Sequence, residues 1–79
     1  MYYIVAFIVF ISDGYEQNDS LLHTVNFYTK KDCETYLNTY NSQLKLNITK
    51  MFNFNKIELK NIEDMFCVHE NEILSFDKI

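Results

Sequence analysis

The stretch from residue 2 to residue 11, YYIVAFIVFI, constrains this chain more than any other part of it. It contains no charged residue, no Gly and no Pro, and it is rich in aromatic and β-branched side chains, so it predicts a strand. Side chains alternate between the two faces of a strand, yet both sets are apolar here. A strand of this kind needs cover on both faces.

The residues that follow predict a loop, a second strand and a helix start. Residues 12–20 are polar and hold the only Gly of the chain, which indicates a long turn with a mobile tip. Residues 21–28 alternate less cleanly and predict an edge strand. Thr29 followed by Asp32 fits a helix cap, in which the Thr oxygen accepts a hydrogen bond from a free backbone N–H.

A helical apolar stripe then predicts a helix between residues 30 and 53. It is interrupted at Asn41 and Ser42, so we expect either a kinked helix or two consecutive helices, with a strand over residues 44–48 as the alternative. Residues 57–70 predict an extended segment, and residues 71–79 a short acidic tail. The stripe consists of Cys33, Tyr36, Leu37, Tyr40, Leu44, Ile48, Met51 and Phe52.

These elements predict one α+β domain over residues 1–79, with the arrangement ββα(α)β. We expect a three-stranded sheet in the order 2-1-3, with the helical crossover packed on one face. The other face of the first strand then remains apolar, and such a patch usually marks an interface. We therefore expect a homodimer or a higher homo-oligomer. The interface residues would be Tyr3, Val5, Phe7 and Val9.

The charge of the chain and the length of its first apolar run argue against nucleic-acid and membrane partners. The formal net charge is −4 and no Arg is present, whereas nucleic-acid binding needs a cationic surface, so no nucleic-acid partner is expected. The first apolar run is about half of the roughly 20 residues that a spanning helix needs. No basic residue precedes it and no cleavage site follows it, so we expect no membrane association and a cytoplasmic location.

The cysteines and histidines do not form a recognisable chemical motif. In a reducing cytoplasm Cys33 and Cys67 are expected to be free and buried, while a disulfide and a reactive Cys33 are the alternatives. His23 and His69 lack the short paired spacings of zinc motifs, so no metal and no cofactor are expected. Because no nucleophile, base and orienting group can be assembled, we expect no enzyme activity.

Six residues are candidates for binding a protein partner. Tyr15 in the predicted loop has little structural reason to be aromatic and is the chosen anchor, with Glu16 beside it. Lys30 and Lys31 at the helix start could attract an anion, although solvated lysines are the alternative. Glu70 and Glu72 belong to an acidic region that could dock a basic partner or simply protect a sheet edge.

The segment NFYTKKDCETYL and the later FCVHE resemble small accessory proteins of tailed bacteriophages. The matching positions are Phe27, Thr29, Cys33, Cys67 and Val68. The resemblance implies a phage protein in the host cytoplasm that binds and inhibits a host or defence macromolecule. The alternative is a protein that sequesters a small nucleotide-like anion in a pocket between subunits.

Overall fold

The computed structural model describes residues 1–72, which form a three-stranded sheet with one long helix packed against one of its faces. The elements are β1 (Tyr2–Ser12), β2 (Tyr15–Phe27), α1 (Lys30–Phe54) and β3 (Glu58–His69). The three-stranded sheet has the order β2-β1-β3, and β1 is antiparallel to both neighbours. The predicted α+β fold and strand order are confirmed. Residues 73–79, which are most of the predicted acidic tail, lie outside the described residues.

The connection between β1 and β2 differs from the long loop predicted for residues 12–20. Ser12 pairs with Tyr15, so the turn consists of Asp13 and Gly14 alone. Their φ angles are 55° and 80°. Positive φ at both central residues is the requirement of a type I′ hairpin turn, for which Asp-Gly is a preferred sequence. The prediction of a mobile loop was therefore wrong, and Tyr15 belongs to a strand.

The helix begins where the capping pattern predicts. Thr29 Oγ1 accepts a hydrogen bond from the backbone N–H of Asp32 at 3.1 Å. α1 then runs through to Phe54 with a kink at Tyr40, whose φ of −111° and ψ of 18° are not helical. A kinked helix is thus confirmed, one residue before the predicted break, and the strand over residues 44–48 was the wrong alternative.

The core lies between α1 and one side of the sheet, which we call the inner face. Ile4 packs against Leu37 and Leu44 of α1, and Ala6 and Ile8 pack in a second cluster. That second cluster contains Phe52, near the end of the helix. The alternate residues of β1 therefore face the helix, and α1 runs along β1 from its first residues to its last.

A disulfide between Cys33 and Cys67 closes the packing between α1 and β3. The two Cα atoms are 6.2 Å apart. Cys33 is fully buried in the cluster with Ile4, Leu37 and Leu44. The expectation of two free cysteines was wrong, because the helix start packs directly over the strand position that Cys67 occupies.

Among residues 1–72, α1 is too polar to be a candidate for crossing a membrane, and no other helix qualifies.

Candidate functional site

One end of the molecule, which we call the hairpin end, carries exposed aromatic side chains. It comprises the turn Asp13-Gly14 with Tyr15, and the segment from Phe54 to Ile57. These segments share an end because Ile11 pairs with Glu58 of β3, next to the point where Ser12 pairs with Tyr15. Tyr15 is 75% exposed and Phe54 is 86% exposed.

The position of Tyr15 is fixed by the sheet. Its backbone pairs with that of Ser12 at the last rung before the turn. A side chain on a paired strand loses less backbone freedom on binding than the same side chain on a mobile loop. The hairpin therefore presents Tyr15 as an ordered anchor.

The end of α1 is fixed by backbone hydrogen bonds. The Ile57 N–H donates to the Phe52 carbonyl at 2.9 Å, and the Lys56 N–H donates to the Asn53 carbonyl at 3.1 Å. Lys56 has a φ of 57°, so the arrangement is a Schellman motif with Lys where Gly is usual. This motif fixes the backbone conformation of the residues that follow Phe54.

An ion pair crosses the sheet near the hairpin end. Lys60 Nζ donates to Glu16 Oε2 at 2.6 Å, which joins β3 to β2 over the intervening β1. The hydrogen bond to Glu16 and the charge of that carboxylate raise the pKa of Lys60. Glu16, predicted to contact a partner, is therefore engaged within the chain.

The other predicted partner-binding residues lie at the opposite end. Lys30 and Lys31 begin α1 just after β2, whose Phe27 pairs with Tyr2, and Glu70 and Glu72 follow β3. β1 separates this end from Tyr15 by about 30 Å at roughly 3.3 Å per strand residue. The structure thus divides the predicted set into two groups that one small ligand cannot contact together.

An ion pair also lies at that far end. The N-terminal ammonium of Met1 donates to Glu70 Oε1 at 2.9 Å. This hydrogen bond and the positive charge lower the pKa of the Glu70 carboxyl. Glu70 therefore ties the end of β3 to the start of β1.

The side of the sheet opposite α1, which we call the outer face, carries the four predicted interface residues. Val5 and Val9 are only 2% and 4% exposed in the single chain, whereas Tyr3 and Phe7 are half-buried. Phe7 contacts Phe66 of β3 edge to face, with ring centroids 5.0 Å apart. Val5 and Val9 therefore leave almost no surface on this face for a second chain to bury.

The histidines lie in different surroundings. His23 lies on β2 beside the ring of Tyr36, whereas His69 ends β3, where its Nδ1 accepts a hydrogen bond from the Asn71 N–H. Within residues 1–72 no group of three or more His, Cys, Asp or Glu side chains is placed to hold a metal ion.

Comparison with protein families, with curated proteins and with solved structures found no match.

Sequence reasoning selected Tyr15 but missed Phe54. Phe54 lies two residues beyond Phe52, off the apolar stripe that α1 buries, and that offset was the available signal. The contact between His23 and Tyr36 could not be anticipated, because it depends on the spacing between α1 and β2.

Proposed function

We propose that this chain is a non-enzymatic binding protein that recognises a protein partner through its hairpin end. The observation that carries the proposal is the exposure of Tyr15 and Phe54 at the same end, each held on a regular element. Exposed aromatic residues are the commonest anchors of protein interfaces, since they bury much apolar area and lose few rotamers. The resemblance to phage accessory proteins supports a host or defence macromolecule as the partner, with inhibition or modulation as the outcome.

Site-specific photo-crosslinking tests the hairpin end. A photoreactive phenylalanine analogue would replace Tyr15 in one variant and Tyr28 in a matched control, because Tyr28 is 82% exposed but follows the far end of β2. We expect a discrete adduct from position 15 and none from position 28. Excess unlabelled wild-type protein should compete for it, and excess Tyr15→Ala protein should not. Equal adducts from both positions would contradict the proposal.

We further propose that the protein acts as a homodimer through the outer face. Tyr3 keeps part of its surface exposed beside the buried Val5 and Val68, as expected for the border of an apolar contact. Light scattering after size exclusion should give a dimer mass for wild type at micromolar concentration. Tyr3→Lys should give a monomer, and Tyr28→Lys should remain a dimer. A monomeric wild type would refute self-association without affecting the hairpin end.

The nucleotide-like anion remains the alternative function. It relies on Lys30 and Lys31, which lie at the far end of β1 from Tyr15. A thermal-shift series with mono-, di- and cyclic nucleotides checks it, and a rise in melting temperature that is lost in a Lys30→Ala, Lys31→Ala variant would favour it over a protein partner.

The proposed location is the cytoplasm of a host cell. Cytoplasmic thiol pools keep most cysteine pairs reduced. Alkylation of thiols in denaturant at the moment of cell lysis therefore tests the location, since in the cytoplasm the bond between Cys33 and Cys67 would be reduced and both thiols would be modified. An intact disulfide in the same experiment would indicate an oxidising compartment.

A further inference from the structure

Three valines on the outer face are almost completely buried. Val5, Val9 and Val68 are 2%, 4% and 4% exposed. Val5 and Val9 alternate along β1 with the residues that pack against α1, and Val68 pairs with Tyr3. All three side chains therefore point away from the helix.

The described strands and helix do not account for this burial. Side chains stand roughly perpendicular to a sheet, so neighbours on one face cover a valine from the sides and not from above. Phe66 is such a neighbour, since it pairs with Val5 and contacts Phe7. Within residues 1–72 the strands form one sheet and α1 packs on its inner face. The burial therefore indicates a further layer above the valines.

The rest of the chain, residues 73–79, has a sequence suited to such a layer. It reads ILSFDKI. In an extended chain Leu74 and Phe76 would lie on one side, and Ser75 and Asp77 on the other. A segment of this pattern can bury one side and keep the other in water.

This segment begins at the right place to cover the outer face. The Glu70 N–H donates to the Met1 carbonyl at 2.8 Å, so the chain leaves β3 beside the start of β1. At roughly 3.3 Å per extended residue, residues 73–79 span about 23 Å, and the distance along β1 from Tyr3 to Val9 is about 20 Å. The segment is therefore long enough to run from the start of β1 to the level of Val9.

We propose that residues 73–79 dock on the outer face of their own chain, with Leu74 and Phe76 against the three buried valines. A segment of the same chain is favoured over a second copy, because its effective concentration at the face does not depend on the protein concentration. The docking does not depend on the proposed self-association, since a second copy would meet the docked segment together with Tyr3.

Nuclear Overhauser contacts in the isotope-labelled full-length protein test the docking. We expect cross-peaks between the ring protons of Phe76 and the methyl groups of Val5, Val9 or Val68. Isotope filtering of a sample with equal parts of labelled and unlabelled chain shows which chain supplies the segment. Contacts within one chain support the proposal. Contacts between chains alone would assign the cover to a second copy and overturn it, and so would the absence of these cross-peaks.

Substitutions in the full chain give a second measurement. Phe76→Ala should shift the methyl signals of Val5 and lower the urea midpoint, because the ring current and the apolar cover are both lost. Ser75→Ala changes the neighbouring side chain, and Phe54→Ala removes a ring that is 86% exposed at the hairpin end. Neither control should shift those methyl signals or lower the midpoint. A Phe76→Ala protein that matched wild type in both measurements would refute the docking.

Discussion

The disulfide between Cys33 and Cys67 joins the first turn of α1 to β3, across the layer of side chains that forms the core. The two residues are 34 positions apart in the sequence, so the bond closes most of α1, the connection and most of β3 into one loop. A domain of 79 residues has a small core. A disulfide that closes a loop of this length therefore contributes a large part of its free energy of unfolding.

Reduction of this disulfide should lower the free energy of unfolding by about 3 to 4 kcal/mol, because the bond restricts the unfolded chain over a long loop. Urea unfolding with and without dithiothreitol measures the difference. A variant with both Cys33→Ala and Cys67→Ala should be insensitive to dithiothreitol. If the wild-type midpoint did not move on full reduction, the bond would not contribute to stability.

Much of the fold was predictable because local patterns and tertiary packing agree. The strand at residues 2–11 is apolar on both faces, and it lies at the centre of the sheet. The helix was predicted from its cap at Thr29 and from its apolar stripe. The buried members of that stripe are Cys33, Leu37, Leu44 and Phe52. Sheet order followed from the need to flank β1 on both edges.

The hairpin was predicted, but its tight turn and the early start of β2 were missed for a physical reason. Residues 16–19 of β2 are Glu, Gln, Asn and Asp, which have weak preference for strands. Pairing with residues 8–11 of β1 overrides that preference. The sequence left the disulfide as the alternative to two free cysteines, and it could not decide between them because the choice depends on how closely α1 approaches β3.

Gly14→Ala should destabilise the protein by about 1 to 2 kcal/mol. The φ of Gly14 is 80°, and a side chain makes this left-handed region costly. No atom lies within 4 Å of a Cβ at this position, so the cost is conformational rather than steric. Asp13→Gly is the control, since it should be neutral or stabilising at a φ of 55°. Urea midpoints compare the two variants, and equal stability of Gly14→Ala and wild type would contradict the type I′ turn.

Lys56→Gly should stabilise the protein by about 0.5 to 1 kcal/mol, because Gly adopts the positive φ of this Schellman position without strain. Lys50→Gly provides the opposite expectation. It lies inside α1, where Gly costs about 1 kcal/mol of helix stability. Thermal or urea unfolding of both variants should therefore move the midpoint in opposite directions. Destabilisation by both substitutions would show that Lys56 does not occupy the left-handed position in solution.

The ion pair between the Met1 ammonium and Glu70 predicts a small loss of stability in acid. Because the folded state lowers the pKa of Glu70, the pair stabilises the protein above the ordinary carboxyl pKa, and that contribution is lost as pH falls through the lowered value. Glu70→Gln should be less stable than wild type at neutral pH and match it in strong acid. High salt should narrow the difference, since both groups are solvent-accessible. Acetylation of the N-terminus should reproduce the Glu70→Gln profile, and a neutral-pH difference that survived acetylation would assign the effect of Glu70 to another contact.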